Sequence, residues 1–368
     1  MRRLLKWVLN ILTLVLGLLL AGAYTSQFLN PGVFWPVSFL GLIFPVVLVG
    51  SIILLIILVI NRSKASFIIL GLLLIGWNPI RKSFNIFSTS QTVENTPGVR
   101  IMSYNVRIFD NFNWTGQENS GQKLLDFVAE RKPDIICFQE FMVKNTGNFG
   151  LESITQKLDF APYKHIKYIY EGSKNKVGLA IFSKYPIIHT GSKYLSDHDQ
   201  LYIYADIKIK EDTIRIVNNY LESNRFSQKQ INLIDSITSK SPKEKKNEYL
   251  GIIRNMKSAY IKRAEQANHI HDEILLSPHP VIVTGDFNDT PVSYSYQTIS
   301  KGLKDAFVSS GQGLGATYWQ FILPLRIDYL LHGPEILSSE FTTHDVRFSD
   351  HRPIEATFWI NGLKGERR

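Results

Sequence analysis

The first 80 residues are almost free of charge, and this constrains the chain more than any other feature of its sequence. In the run Leu4–Tyr24 the only charged side chain is that of Lys6, and the run Val33–Ile60 has none. Each run is about as long as a helix needs to cross roughly 30 Å of hydrocarbon. A third run, Ala65–Trp77, is shorter than the usual spanning length of about 17 residues.

We therefore predict a membrane region over residues 1–80, with two or three spanning helices at about 4–24, 37–60 and 65–80. Three is the favoured number. A cleavable signal peptide would explain the first run but not the second. None of these helices carries a buried acid or base, which disfavours a transport pathway. Residues 81–98 are predicted to form a polar linker.

Basic residues flank the first run at positions 2–6 and separate the second and third runs at positions 62–64. The positive-inside rule therefore places the N-terminus in the cytoplasm, and three crossings place the rest of the chain outside. Two basic residues at positions 81–82 oppose that assignment. We predict a multi-pass protein of a bacterial inner or plasma membrane whose later domain is extracytoplasmic.

The charge and cysteine content restrict the partners and the redox chemistry. Lysine and arginine total 41 against 32 acidic residues, a formal charge of +9, which suits an anionic substrate or an anionic membrane surface. The single cysteine, Cys137, excludes an intrachain disulfide. It lies in an apolar run at 135–138 and is predicted to be an inert core thiol.

Residues 99–361 alternate between short apolar runs and segments of helical periodicity, without an internal repeat. This pattern predicts a layered α/β domain. The stretch Pro280–Pro291 is the most informative part: an apolar strand, then Gly285, then Asp286 and Asn288. In an extended segment, residues two apart face the same side, so the acid and the amide should lie together.

Polar residues recur at the ends of apolar strands along the whole domain, where side chains from distant parts of the sequence can converge. A few oxygen ligands are sufficient for Mg²⁺, whereas a structural zinc site would need a cluster of cysteine or histidine. A histidine beside an acid, with a second acid, supplies the proton handling of hydrolysis. The candidate residues are Asn105, Glu140, Tyr220, Asp286, Asn288, Asp328, Asp350 and His351.

Five short motifs occur in an order that resembles the endonuclease/exonuclease/phosphatase superfamily of DNase I-like metal-dependent phosphoesterases. They are Ser-Tyr-Asn-Val at 103–106, Phe-Gln-Glu at 138–140, Gly-Asp-Phe-Asn at 285–288, Arg-Ile-Asp-Tyr at 326–329 and Ser-Asp-His at 349–351. The resemblance covers roughly residues 99–360. It implies a four-layer α/β sandwich of two packed mixed β-sheets flanked by helices.

The same resemblance implies a role for each candidate on the metal side. Glu140 would be the main Mg²⁺ ligand, with Asn105 and Asp350 close to the metal, directly or through water. Mn²⁺ is an alternative ion. The metal would act as a Lewis acid on the phosphoryl oxygen and stabilise the leaving oxygen.

On the water side, the resemblance implies that Asp286 orients or deprotonates the attacking water and that Asn288 holds this water or a phosphate oxygen. His351 would bind the scissile phosphate, and Asp328 would fix its tautomer. Tyr220 departs from the commonest pattern, in which a histidine stands at this position. A phenol donates a hydrogen bond but carries no positive charge near neutral pH, so Tyr220 is expected to keep a binding role only.

Two functions follow as hypotheses. The leading one is a membrane-anchored, Mg²⁺-dependent phosphoesterase that hydrolyses a phosphodiester in nucleic acid or in a phospholipid head group. Its partners would be that substrate and the lipid bilayer, with no protein partner predicted. The alternative is a catalytically weak or inactive domain that binds an anionic ligand or partner at the membrane.

Overall fold

The chain forms two compact units, each assembled from segments that are distant in sequence. The structure is a computed structural model and describes residues 2–86, 98–196, 200–224, 242–319 and 324–360. The predicted boundaries of a membrane region, a linker and a catalytic domain stay predictions. Residues 87–97 of the expected linker lie outside the described residues.

The first unit is helical. Its segments are Met1–Phe84, Ser223–Glu265 and Asp289–Thr298. The helices of the first segment are α1 (Arg2–Ser26), α2 (Pro31–Phe34), α3 (Ser38–Leu42), α4 (Phe44–Ile60), α5 (Ser66–Ile75) and α6 (Trp77–Ser83), with a 3₁₀ turn at Trp35–Val37. Apolar side chains of α1, α4 and α5 pack together at Leu9, Leu54, Leu58 and Ile69.

The prediction of three spanning helices is wrong. Within the described residues, one helix, Arg3–Ser26, is long and apolar enough to cross a membrane, with a mean hydropathy of 2.2. The second apolar run is broken into Pro31–Leu42 and Phe44–Ile60, which meet at 53° and make a second span only if they count as one. The third run gives a helix of 10 residues, Ser66–Ile75.

Prolines and a glycine explain these interruptions. Pro36 and Pro45 flank the bend in the second run, and a proline removes a helical hydrogen bond and crowds the preceding turn. The third run is interrupted at Gly76, and α6 continues after it with Pro79 near its start. The hydropathy of the sequence shows that these runs are apolar, but it does not show where the helices bend or end.

Two later segments complete the first unit. The helix α9 (Pro242–Leu275) begins in it, and the ring of Tyr260 packs edge-on against Phe39 of α3, with ring centroids 5.6 Å apart. Arg263 of α9 is fully buried, and its Nε lies 3.3 Å from Oδ2 of Asp289. Arg263 is thus half of a buried ion pair within this unit.

The second unit carries twelve described strands in two six-stranded sheets. One sheet has the order β11-β12-β1-β2-β4-β3, and the other has the order β5-β6-β7-β8-β10-β9. The strands are β1 (Val99–Asn105), β2 (Ile135–Lys144), β3 (Tyr163–Glu171), β4 (Asn175–Ser183), β5 (Ile187–Ser196), β6 (Gln200–Ile209), β7 (Asp212–Tyr220), β8 (Val281–Asp286), β9 (Lys304–Asp305), β10 (Asp328–His332), β11 (Leu337–Thr343) and β12 (Ile354–Trp359).

Both sheets are mixed, because β1 pairs with β2 and β7 pairs with β8 in parallel, while the other pairs are antiparallel. Alternate residues of the two sheets, such as Cys137 and Ile282, form one buried core between them. The thiol of Cys137 is buried, and burial raises its pKa to about 12, in agreement with an inert core residue.

Helices cover the outer faces of both sheets. The helices α7 (Ser120–Arg131) and α8 (Leu151–Lys157) pack their apolar residues on the first sheet. On the second sheet, Glu273 of α9 accepts hydrogen bonds from Tyr202 of β6 and Arg215 of β7. The short helices α10 (Tyr294–Ile299) and α11 (Ala306–Ser310) follow β8 and β9. The predicted α/β sandwich of two mixed sheets flanked by helices is confirmed.

Candidate functional site

The register of the second sheet brings three of the predicted residues side by side. Tyr220, the last residue of β7, lies opposite Asp286 at the end of β8, and Asp286 lies opposite Asp328 at the start of β10. Tyr220 and Asp328 are 108 residues apart in sequence, yet adjacent strands are only about 4.8 Å apart. The sheet therefore gathers a phenol and two carboxylates at one edge.

The first sheet delivers two further residues. Asn105 ends β1, opposite Gln139 of β2, and Glu140 follows immediately. The pairing of β2 with β4 is irregular between Phe138 and Phe141, and Glu140 has a left-handed backbone with φ of 50°. A β-bulge re-aims the side chain of its extra residue, which places the Glu140 carboxylate in the cluster rather than in the sheet.

Asn105 connects the two sheets. Its Nδ2 donates to Oδ2 of Asp286 at 2.9 Å and to Oε1 of Glu140 at 3.3 Å. Its Oδ1 accepts a hydrogen bond from the backbone N–H of Arg107 at 3.0 Å. In this arrangement the amide binds both carboxylates through its nitrogen, and its oxygen faces a backbone donor.

Asp286 and Asn288 meet, but not through an extended backbone as the spacing argument assumed. The strand β8 ends at Asp286, and Asn288 has a left-handed φ of 51°. The turn lets the N–H of Asn288 donate to Oδ1 of Asp286 at 2.7 Å, and its Nδ2 donate to Oδ2 of Asp286 at 3.1 Å. Nδ2 also donates to the carbonyl of Leu221 at 3.0 Å, so Asn288 fixes the Asp286 carboxylate.

His351 lies between two carboxylates. Its Nδ1 is 2.9 Å from Oδ2 of Asp328, and its Nε2 is 3.7 Å from Oδ2 of Asp286. Burial alone would lower the pKa of His351, but the charges of Asp328 and Asp286 raise it to about 10. The imidazole is therefore held as a cation at neutral pH.

Burial raises the pKa of Asp286 to about 7, although the charge of His351 and the hydrogen bonds from Asn288 and Asn105 oppose this shift. Asp286 is therefore a carboxylate with a pKa near neutrality, the range in which a general base works best. Its partners leave it oriented, because both of its oxygens accept hydrogen bonds.

Glu140 and Asp350 form the other half of the cluster. Oε1 of Glu140 accepts a hydrogen bond from the Tyr220 hydroxyl at 2.9 Å. Burial and the neighbouring charge of Asp350 both raise the pKa of Glu140. Oδ2 of Asp350 is 3.0 Å from Nη1 of Arg107. The structure thus brings together all eight residues that were predicted from the sequence.

Sequence reasoning missed two residues of this cluster. One is Arg107, which contacts Asp350 and Asn105. Its position two residues after Asn105, a predicted ligand, was the available signal in the sequence. Tyr318 lies with its ring 5.1 Å from that of His351, and burial raises its pKa, with further contributions from Asp350, Asp286 and Glu140. Nothing in the sequence around Tyr318 indicates this.

The donor set fits a hard divalent cation. Four carboxyl groups, those of Glu140, Asp286, Asp328 and Asp350, outnumber the two basic side chains beside them, Arg107 and His351. Oε2 of Glu140 has no hydrogen-bond donor among the described residues, and oxygen is the ligand that Mg²⁺ prefers.

A different set of atoms, on Asp286, Asp328 and His351, also lies within 4.8 Å of one another and has the composition of a metal site. However, Nδ1 of His351 is bound to Asp328, and the raised pKa of the imidazole keeps it protonated. A protonated imidazole has no lone pair to offer a metal. While it is protonated, His351 therefore offers a cation no nitrogen ligand, and the carboxylates of Asp286 and Asp328 are the remaining donors of this set.

Comparison with protein families gives two matches that divide the chain. The pattern of the endonuclease/exonuclease/phosphatase family matches residues 102–351. A second family, described as Domain of unknown function (DUF8431), matches residues 2–83. No curated protein matches the chain.

Solved structures share the fold of the second unit. An endonuclease/exonuclease/phosphatase from Bacteroides vulgatus is 17% identical, with a TM-score of 0.52 over 72% of this chain and 99% of the other. A protein of the same description from Beutenbergia cavernae is 13% identical, with a TM-score of 0.51 over 73% of this chain and 72% of the other. At this level of identity the likeness concerns the fold alone.

Proposed function

Because the chain belongs to the endonuclease/exonuclease/phosphatase family, whose pattern matches more than half of it, we propose that it is a membrane-anchored, Mg²⁺-dependent phosphoesterase that hydrolyses a phosphodiester bond. The observation that carries the proposal is the contact of His351 with Asp328 at 2.9 Å and with Asp286 at 3.7 Å. This is the arrangement of an ionised histidine beside a base that hydrolysis requires.

Asp286 is the residue that accepts the proton of the attacking water in this proposal. Its carboxylate is buried, fixed by Asn288 and Asn105, and has a pKa raised to about 7 by burial. A base whose pKa is close to physiological pH is ionised in a substantial fraction of molecules and still takes up a proton readily. Asn288 has the additional role of holding the water or a phosphate oxygen.

His351 binds the phosphoryl group that is attacked. Protonated by the influence of its acidic neighbours, it stabilises the negative charge that develops on the phosphoryl oxygens. Asp328 fixes the orientation of the ring through Nδ1, which leaves Nε2 on the side of Asp286. Tyr220 acts on the opposite side, through its hydrogen bond to Glu140.

Glu140 would hold the divalent cation, with Asp350 and Asn105 near it. When bound, Mg²⁺, or Mn²⁺ in its place, supplies a Lewis acid for the phosphoryl and leaving oxygens. The excess of carboxyl groups over basic side chains in the cluster supports this part of the proposal. The residues that surround Glu140 orient it through Tyr220 and Asn105.

The first unit supports membrane attachment. The 24-residue helix Arg3–Ser26 is apolar, and only 17% of its most apolar window is buried within the structure. Large apolar side chains such as Trp7, Leu18 and Ile56 are more than half exposed, and such surfaces require cover by lipid or protein. We propose that the helix Arg3–Ser26 anchors the chain in the inner or plasma membrane and that its single crossing from a cytoplasmic N-terminus gives an extracytoplasmic active site.

Attachment to a membrane favours a phospholipid head group as the substrate, and nucleic acid is the second candidate. The formal charge of +9 suits either anion. The lipid bilayer is the second partner proposed, and no protein partner is expected. A panel of DNA, RNA, sphingomyelin and phosphoinositides distinguishes the two substrate classes.

The test of catalysis uses the full chain purified in detergent, with Mg²⁺ and bis(4-nitrophenyl) phosphate before the natural substrate panel. We expect turnover that EDTA abolishes and that Asp286→Ala reduces by about 10²-fold or more. Asp126→Ala is the matched control, because Asp126 is half exposed and its partner is Lys157, outside the cluster. Turnover that survives both EDTA and Asp286→Ala would overturn the proposal, whereas binding of an anionic ligand without turnover would favour the alternative of a binding domain.

Topology is tested separately in intact cells. Cys137 is buried and does not compete for a labelling reagent, so a cysteine introduced at the exposed residue Asn148 reports alone. We expect a membrane-impermeant maleimide to label Asn148→Cys in intact cells. Labelling only after the cells are lysed would place the active site in the cytoplasm and overturn this part of the proposal.

A further inference from the structure

The segment after β1 has an unusual backbone. Residues 107–110 all have left-handed conformations, with φ of 41°, 48°, 54° and 50°, and none of them is glycine. Residues in this region of the backbone cost about 1–3 kcal/mol each, and they persist where the surrounding structure fixes them. Such strain is concentrated at functional sites, so the position of the segment requires an explanation.

Two anchors hold the segment in place. On one side, the N–H of Arg107 donates to Oδ1 of Asn105. On the other, Phe109 is buried, with its ring stacked on Phe149 at 5.2 Å and packed edge-on against Phe141 at 5.6 Å. With both ends fixed, the left-handed turn holds Arg107 at the start of the segment, beside the cluster.

Two contacts with described residues help to hold the guanidinium of Arg107. Nη1 is 3.0 Å from Oδ2 of Asp350, and the guanidinium carbon lies 4.3 Å from the centre of the Trp114 ring. The side chains of Arg107 and Asp350 are only 18% and 9% exposed. A guanidinium that is stacked on an aromatic ring and partly desolvated is held in a single place more firmly than a surface arginine.

The contact of Arg107 with Asp350 makes the carboxylates of Asp350 and Glu140 differ in how available they are to a cation. Oδ2 of Asp350 contacts Arg107, and its Oδ1 lies 3.2 Å from the Ser349 hydroxyl, whose single proton also faces the carbonyl of Asn105 at 2.9 Å. Glu140 has donors on Oε1 alone, from Tyr220 and Asn105. A cation therefore meets an available carboxylate oxygen at Glu140 and a carboxylate at Asp350 that is already neutralised.

We propose that Arg107 is a positioning residue that keeps Asp350 paired and thereby limits the site to one divalent cation, which is held by Glu140. Asp350 then acts on that cation through water. The proposal rests on the metal dependence of the proposed function. In this view, the strained turn holds the positive charge of Arg107 beside Asp350. A second cation would otherwise bind there, between acidic groups.

The test counts bound metal directly. The full chain in detergent is titrated with Mn²⁺, and free Mn²⁺ is measured by electron paramagnetic resonance. We expect one equivalent for the wild type and a second, weaker equivalent for Arg107→Gln. Arg107→Lys keeps a cation near Asp350 and should restore a stoichiometry of one.

Two further variants exclude a merely structural effect. Asp350→Asn in the Arg107→Gln background removes the freed carboxylate, so the second equivalent should disappear. Arg131→Gln breaks another arginine–carboxylate pair, that of Arg131 with Glu355 at 3.1 Å, and should leave one equivalent bound.

The outcomes separate this inference from the proposed function. Two equivalents in the wild type, or one equivalent in Arg107→Gln, would overturn the role of Arg107 while leaving metal dependence intact. The absence of any bound Mn²⁺ in the wild type would overturn the metal dependence itself and the inference with it.

Discussion

The Nδ1 atom of His351 lies 2.9 Å from Oδ2 of Asp328, and the other oxygen of that carboxylate is buried without a hydrogen-bond partner among the described residues. Among the described residues, His351 is therefore the one hydrogen-bonding partner of the Asp328 carboxylate. In a buried environment such a charge-assisted contact is stronger than a neutral hydrogen bond. It fixes both the protonation and the orientation of the ring that faces Asp286.

Asp328→Asn should abolish most of the activity while leaving the fold intact. The amide has nearly the same shape, but it carries no charge to hold the imidazole protonated. We expect kcat to fall by about 10²–10⁴-fold, the usual contribution of a positioned acid or base. His351→Gln should have a similar effect, and the double variant should be no worse than either single one, because the two residues act as a unit. Additive losses would contradict this coupling.

Glu140→Gln should remove the stabilisation that Mg²⁺ confers. A cation that binds only the folded state raises its stability by about 2.7 kcal/mol at a concentration 100 times its dissociation constant. We expect Mg²⁺ to raise the midpoint of thermal unfolding of the wild type and to have little effect on the variant. Glu355→Gln is the control, since Glu355 is buried with Arg131 and His344 rather than in the cluster. An equal Mg²⁺ shift in wild type and Glu140→Gln would exclude Glu140 as the ligand.

Tyr220→Phe should weaken the site without destroying it. The change removes the hydrogen bond from the Tyr220 hydroxyl to Oε1 of Glu140, which is 2.9 Å long. A hydrogen bond to a charged group contributes about 1.5–3 kcal/mol, so kcat/KM should fall by roughly 10-fold or more. Steady-state kinetics at saturating and limiting Mg²⁺ would show whether the loss is partly recovered by excess metal, as expected if Glu140 is the group affected.

The sequence was sufficient for the sheets and for most of the site because both depend on local patterns. Buried strands alternate or run apolar, and a polar residue at the end of each strand lies at the edge where the strands meet. Thus Asp286 and Asp328 were both predicted to lie at strand ends that converge, and the register of β8 and β10 places them opposite each other.

The parts that could not be predicted depend on the tertiary structure. Arg107 contacts Asp350 because of a left-handed turn, and none of the residues in that turn is a glycine that would have indicated it. Tyr318 packs against His351 from a segment without a recognisable motif. The strand β11 lies at the edge of its sheet and buries the polar residues Ser338 and Ser339, so apolar alternation does not indicate it. In the apolar N-terminal region, the bend at Ile43 likewise could not be read from hydropathy.

Ionised Glu355 should stabilise the second unit at neutral pH, and this contribution to the free energy of unfolding should be lost in acid. Burial alone would raise the pKa of Glu355, but hydrogen bonds from His344 and Arg131 lower it below the ordinary value of 4.5. A lowered folded-state pKa means that the contribution to stability is present above pH 4.5 and is lost as the pH falls through the folded-state pKa. Thermal unfolding of wild type and Glu355→Gln should therefore differ at pH 7 and converge as the pH falls below 4.5 and through the folded-state pKa of Glu355. A difference that stays constant with pH would contradict this origin.

Gly285→Ala should strongly destabilise the second unit and displace Asp286. Gly285 has φ of 131°, a conformation open only to glycine, and a Cβ there would lie 2.0 Å from the carbonyl oxygen of Asn219 on the neighbouring strand. Because that oxygen belongs to the backbone of β7, it cannot move aside as a flexible side chain would. We expect a loss of about 3 kcal/mol or more, from backbone strain and steric clash together.

Gly302→Ala is the matched control for that change. Gly302 also has a positive φ, of 82°, but a Cβ there would meet nothing within 4 Å. It should therefore cost only the strain of a left-handed backbone, about 1–2 kcal/mol. Thermal unfolding in detergent, followed by tryptophan fluorescence, measures both variants. Equal unfolding temperatures for Gly285→Ala and Gly302→Ala would contradict this explanation. They would show that the close approach of β7 and β8 is not the reason for a glycine before Asp286.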